Sequence, residues 1–263
     1  MQIIDGGYLS WVYGTIPHNA WDHARHEYRG DLICMDSQPS ESWRLAQSPD
    51  YKSRRAGRRL LDPAAAIRKE RVTELRSLMM EDPLVHTCYL EGFEADDLVA
   101  LHWLIYPEAR VLGEDKDLLQ VPGLYRKMHN LQGKHLESLV NHRRNRLPMY
   151  YPGTRHARDV LLFQLFFGDK TDSIPRLTYK KDARLINSCY HDDEPFAKAY
   201  HYLGDPVIDS LKLLLVPCLG LHREIDRLLK DPRLLLRELD SGMYWTASNF
   251  YHPDHLGCRW PYR

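Results

Sequence analysis

No two cysteines in this chain are spaced C-x-x-C, and the cysteine count is an odd five. That argues against a disulfide framework or a zinc knuckle and fits a reducing compartment. Long apolar runs are also missing. None approaches the ~18 residues that cross a membrane, and the apolar stretch at the N-terminus is too short for a signal peptide. A soluble, cytoplasmic protein is the expectation. Nor is there an excess of charge, since 36 Lys+Arg balance 36 Asp+Glu. Nucleic-acid binders are often basic overall, so the balance by itself speaks against one. The zero sum hides a segregation, however. Between Arg44 and Arg76 ten Lys/Arg stand against four Asp/Glu, and the balancing acids gather in short clusters elsewhere.

What is present reads first as alternating strands and helices. Short apolar or β-branched runs at Gln2–Asp5, Asp31–Asp36, Val85–Leu90, Ala109–Gly113 and Leu124–Met128 predict strands. Periodic stretches at Pro63–Met80 and after Glu94 predict helices between them. The pattern predicts an α/β fold with a mostly parallel, twisted sheet flanked by helices. From Arg155 onward the strand signal fades, and Val160–Phe167, Ile208–Leu215 and Ile225–Leu236 fit helices. Two parts follow, an α/β core over residues 1–154 and a helical part over residues 155–263.

Acids recur at the ends of these strands. Asp5 ends the first and Asp36 the second. Glu94, Asp96 and Asp97 open the helix after the third, and Asp115 and Asp117 follow the fourth. Asp169 and Asp172 follow the helix ending near Phe167. Any one of these also fits a turn former, an N-cap or a residue favoured by the helix dipole. Together they converge, because strands side by side in a parallel sheet present their carboxyl ends at one edge. Carboxylates packed so closely repel one another by several kcal/mol per pair at low dielectric unless protonated or neutralised. Hard divalent cations resolve the conflict, and an oxygen-only ligand set favours Mg²⁺ or Mn²⁺ over zinc. Two such ions can activate a water and stabilise the leaving oxygen of a phosphodiester.

Beside this acidic edge lies the basic run, from Arg44 through Lys52, Arg54, Arg55, Arg58 and Arg59 to Arg76. Such a run is often only a solvated face. Here its cations would hold a phosphate and offset transition-state charge, and its aromatics Trp43 and Tyr51 could stack on bases. Arg44, Tyr51, Arg54, Arg58 and Arg59, with Lys116, Lys180 and Lys181 further on, are the expected nucleic-acid contacts.

In this order the motifs resemble the flap endonuclease and 5′→3′ exonuclease family, within the PIN-like nucleases and especially its bacteriophage members. Ile4-Asp5-Gly6 is similar to the family's opening strand, and Met35-Asp36-Ser37 to its second. Trp43-Arg44 followed by Pro49-x-Tyr51-Lys52-x-x-Arg55 is similar to its FR…P-x-Y-K-x-x-R segment. Glu94-Ala95-Asp96-Asp97 matches E-A-D-D, and Asp115-Lys116-Asp117-Leu118-Leu119-Gln120 matches D-K-D-L-x-Q. Gly168-Asp169-Lys170-Thr171-Asp172-Ser173-Ile174-Pro175 is similar to G-D-x-x-D-N-I-P.

The resemblance implies that Asp5, Asp36, Glu94, Asp96 and Asp97 hold one Mg²⁺ or Mn²⁺, some through water. It implies that Asp115, Asp117, Asp169 and Asp172 hold a second. Lys52 would assist catalysis electrostatically and Arg55 would contact the phosphate. Residues from about 44 to 80 would form a helical arch, and residues 155–263 a DNA-binding part with a degenerate helix–three-turn–helix. The implied activity is two-metal hydrolysis of DNA at 5′ ends or flaps, giving 5′-phosphate and 3′-hydroxyl, with RNA·DNA hybrids and replication proteins as further partners. An RNase H-like or PIN-type ribonuclease and a non-catalytic DNA-structure binder are the alternatives. One departure stands out. The family's glycine-rich loop after I-P, which often carries K⁺, is replaced by Arg176-Leu177-Thr178-Tyr179-Lys180-Lys181-Asp182, and no glycine occurs between Gly168 and Gly204. A K⁺ site of that kind is not expected without the glycines.

Overall fold

The computed structural model describes residues 1–14, 20–53, 57, 62–133, 157–179 and 182–250. Five parallel strands form one sheet: β1 (Gln2–Asp5), β2 (Leu32–Met35), β3 (His86–Tyr89), β4 (Arg110–Leu112) and β5 (Met128–His129), in the order β3-β2-β1-β4-β5. The chain steps outward from β1 to β3, then crosses back to lay β4 on the other side of β1. This reversal puts a topological switch point at the carboxyl ends of β1 and β4, where parallel sheets bind ligands.

The strands read as continuous apolar runs because both faces of the sheet are covered. In β1, Ile3 enters one core and Ile4 the other; in β2, Leu32 and Cys34 alternate in the same way with Ile33 and Met35. The smaller core is closed by α1 (Gly6–Gly14), α2 (Ala20–Ala24) and α4 (Pro63–Glu81). Helix α4 commits only Leu75 and Met79, spaced i and i+4, to that core. The larger core takes α5 (Ala95–Ile105), α6 (Ala157–Phe167) and the C-terminal helices, and it joins residues of the sheet to residues of the helical part. Helix α3 (Trp43–Gln47) packs against it through Trp43 and Leu45.

Three expectations are corrected. The fifth strand is only Met128–His129, because Gly123 at φ +80° turns the chain into a 3₁₀ turn, Leu124–Arg126, whose leucine is fully buried. The helix expected over Ile225–Leu236 is two helices, Ile225–Lys230 and Pro232–Ser241. Pro232 cannot donate a helical hydrogen bond, and the Asp231 carboxylate caps the second helix by accepting from the amides of Arg233 and Leu234. Finally, where the cysteine pattern argued against disulfides, Cys88 is disulfide-bonded, while Cys34, Cys189 and Cys218 are buried free thiols. No helix among the described residues is long and apolar enough to cross a membrane.

Candidate metal centre at the carboxyl edge of the sheet

Glycines let the edge assemble. At Gly6 a Cβ would lie 2.4 Å from Met35 Sδ and 2.5 Å from the Cys34 carbonyl, so α1 can begin against β2 only without a side chain there. At Gly7 a Cβ would stand 3.1 Å from Asp5 Oδ1 and 3.2 Å from Asp36 Oδ2. Gly168 has φ +68°, and a Cβ would meet the carbonyl oxygens of Ile174 and Pro175 at 2.6 Å. It closes the loop in which Asp169 and Ile174 pair, carrying Asp169 and Asp172 back to the edge.

The acids arrive from every direction the sequence indicated, but they divide into two populations. In the first, burial and then neighbouring like charge push the carboxyls up. Burial, then the neighbouring Asp36 and Asp115, push Asp5 up to about 7, although its Oδ1 accepts the Tyr8 amide at 3.0 Å. Burial and Asp117 push Asp115 up to about 6, partly opposed by Lys116. Asp96 is raised well above the usual carboxylate range by burial, Asp97 and Glu94. Oxygens of Asp96, Asp115 and Asp117 lie within 4.8 Å of one another, and so do those of Asp117, Asp169 and Asp172. Two groups of three carboxylates therefore share Asp117. A hard divalent cation in each would remove the repulsion that lifts these acids, and the all-oxygen donor set fits such ions.

In the second population cations already sit on the acids. Asp97 is fully buried, and both its oxygens take the guanidinium fork of Arg44 at 2.6 and 2.7 Å. Glu94 accepts from Lys52 Nζ at 2.7 Å and from the Tyr51 hydroxyl at 3.1 Å, with Arg44 Nη1 at 3.4 Å. Burial would raise Glu94, but Lys52 and Arg44 outweigh it and hold the carboxyl at about 2. Neither Glu94 nor Asp97 enters the two three-carboxylate groups. Asp36 lies between the populations. Its Oδ1 accepts the Ala95 amide at 2.9 Å, and Arg76 stands 3.4 Å from Oδ2.

The basic residues are placed differently from the expectation. Arg44 is 2% exposed and Tyr51 5%, so neither can meet a phosphate or stack on a base. Their polar ends are spent on Glu94 and Asp97, because a buried carboxylate pair recruits the nearest donors. Lys116 is turned inward, bonding Asp117 Oδ1 at 3.0 Å and, more closely still, Asp169 Oδ2. Burial would raise Asp169, and Lys116 overrides it to hold that acid low. Lys52 has φ +57°, in the left-handed region that L residues enter at a cost. Its amide donates to the Asp172 carbonyl at 2.9 Å, and its ammonium reaches Glu94. The basic segment is thus stitched to both sides of the acidic edge. Arg54, Arg55, Arg58, Arg59, Lys180 and Lys181 lie outside the described residues.

Two glutamines matter that carried no role in the sequence reading. Gln164 donates Nε2 to Asp117 Oδ1 at 2.5 Å. The signal was a lone polar residue inside the apolar run Val160–Phe167. Gln120 ends the D-K-D-L-x-Q motif and is fully buried.

Fold and acidic edge together define a class, the flap-endonuclease-type α/β fold. The particular likenesses are to bacteriophage T5 proteins. The T5 5′-exonuclease with bound divalent zinc ions superposes with a TM-score of 0.58 at 15% identity, covering 94% of this chain and 99% of that one. The T5 flap endonuclease in a pseudo-enzyme–product complex with DNA and metal ions superposes with a TM-score of 0.56 at 15% identity, covering 94% and 98%. No family model and no curated protein matches the sequence.

Proposed function

We propose that this chain is a divalent-metal-dependent 5′→3′ exodeoxyribonuclease with flap endonuclease activity. The observation that carries the reading is the pair of three-carboxylate groups joined at Asp117, at the switch point of a flap-endonuclease-type sheet. Asp96, Asp115 and Asp117 would hold one ion, with Asp5 and Asp36 beside them; Asp117, Asp169 and Asp172 would hold the other. Mg²⁺ or Mn²⁺ bound there supplies an activated water and neutralises charge on the phosphodiester. The DNA and metal ions in the T5 complex support DNA as the substrate.

The chain's own residues orient and compensate. Glu94, kept ionised, anchors the Lys52 ammonium, whose side chain is 31% exposed. Lys52 would meet the non-bridging oxygens of the scissile phosphate as their charge grows. The same anchor fixes where that ammonium can point. Gln164 orients Asp117, the shared carboxylate. Arg55 is proposed as a second phosphate contact. The products would be a 5′-phosphate and a 3′-hydroxyl.

A 5′-labelled flap DNA incubated with Mg²⁺, with EDTA as control, tests the reading. Short labelled products in Mg²⁺ alone support it. Cleavage that survives EDTA, or that occurs only on single-stranded RNA, contradicts it.

A further inference from the structure

One stretch of the C-terminal half, residues 213–218, is gripped at every residue by side chains from elsewhere. Arg44 in α3 donates Nε to the Leu213 carbonyl at 2.8 Å and Nη2 to the Leu215 carbonyl at 2.7 Å. Gln120, at the end of the 3₁₀ turn Lys116–Gln120, donates Nε2 to the Leu214 carbonyl at 2.8 Å and accepts the Val216 amide at 3.0 Å. The Tyr244 hydroxyl donates to the Pro217 carbonyl at 2.5 Å, and Asp97 in α5 accepts the Cys218 amide at 2.8 Å. Arg44, Gln120 and Asp97 are 2%, 0% and 0% exposed.

The buried carbonyls at the end of the helix Pro206–Leu214 and the irregular backbone after it must find hydrogen-bond partners, and partners close in sequence would serve that need. Here three of the four come from elements that lead to the candidate centre. Asp115 and Asp117 stand at the start of the turn that Gln120 ends. Helix α5 opens with Glu94 and Asp96 at the end that Asp97 anchors. The chain beyond helix α3 leads through Ser48 to Tyr51 and Lys52. The two sides of the Asp96–Asp115–Asp117 group are therefore referred to one common strap.

We propose that residues 213–218 are a brace that sets the spacing of this carboxylate group, with Gln120 as a positioning residue that acts through Asp115 and Asp117. The proposal rests on the divalent-metal reading above. Small octahedral ions tolerate little displacement of their ligands, so a loosened brace weakens binding before the fold is lost.

The test is a calorimetric titration of Mn²⁺ alone into wild type, Gln120→Leu and Leu228→Ala. Leu228 is buried in the short helix Ile225–Lys230 and makes none of the side-chain hydrogen bonds to residues 213–218, so its loss lowers Tm while leaving those bonds in place. Gln120→Leu is expected to bind Mn²⁺ about tenfold more weakly, as loss of a group that supports metal ligands does. Leu228→Ala, at a comparable loss of Tm, is expected to bind like wild type. Unchanged affinity in Gln120→Leu, or equal weakening in both variants, overturns the brace. If Gln120→Leu does not fold, Gln120→Glu is read by the same criteria, since it keeps the acceptor for Val216 and loses the donor to Leu214. Wild type that binds no Mn²⁺ overturns the metal reading and the brace with it. A normal Gln120→Leu beside a wild type that binds Mn²⁺ overturns the brace alone.

Discussion

Asp5 and Glu94 sit at the same edge of the same sheet, both nearly buried, and their carboxyls move in opposite directions, to about 7 and about 2. Burial opposes ionisation in both. The difference is the neighbour: other carboxylates around Asp5, and Lys52 with Arg44 around Glu94. One end of the edge is compensated by the protein's own cations and serves as framework. The other carries charge that the fold leaves to be neutralised from outside. We propose that this division separates residues that hold the site from residues that would hold metal.

Removing an acid from the uncompensated end should do the most. Asp115→Asn is expected to cut the rate of flap cleavage in Mg²⁺ by about a thousandfold or more, roughly the 4 kcal/mol that a lost electrostatic element of catalysis can cost. Its Tm in EDTA should hold or rise, because a repelled charge is gone. A rate near wild type would place Asp115 outside the metal centre. Removing a cation from the compensated end should act on folding. Arg44→Met leaves Asp97 buried without its partner and is expected to cost about 3–5 kcal/mol in urea denaturation. A loss under about 1 kcal/mol would show that the guanidinium is not needed to offset Asp97.

Lys52 belongs to both ends, and the effect of Lys52→Ala should be intermediate. We expect kcat to fall by about ten- to a hundredfold, with much less change in DNA affinity. A defect confined to affinity would assign Lys52 to binding alone. The smallest effect is on stability against pH. The native state binds protons at Asp5 and Asp115 more tightly than the unfolded chain, so in EDTA stability should fall as pH rises from about 4 through about 7. Glu94 runs the other way: its contribution is present above pH ~4.5 and fades as pH drops toward about 2. Thermal melts from pH 4 to 8 should slope downward in EDTA and flatten with Mg²⁺. A flat EDTA profile would mean that the repulsion is relieved within the protein.

How much of this was legible in the sequence follows from the range of each interaction. The strands were, because burial on two faces writes continuous apolar runs such as Leu32-Ile33-Cys34-Met35. Most of the acids were, because Asp5, Asp36, Glu94, Asp96, Asp97, Asp115 and Asp117 lie at or just beyond strand ends, whereas Asp169 and Asp172 follow a helix. Arg44 and Tyr51 were misplaced because they look like members of a basic, aromatic run. Their partners are remote: Asp97 lies 53 residues away from Arg44, and Leu213 and Leu215 lie 169 and 171 away. The inward turn of Lys116 toward Asp169, 53 residues on, was hidden for the same reason. The helix break at Pro232 was readable locally and yielded to the stronger apolar period around it.

The central claim is that the two three-carboxylate groups form two metal sites that share Asp117, and a Mn²⁺ titration of wild type beside Asp117→Asn tests it most directly. Two ions per chain in wild type, with both affinities reduced in the variant, is the predicted result. No binding in wild type, or an unchanged isotherm in Asp117→Asn, would contradict it.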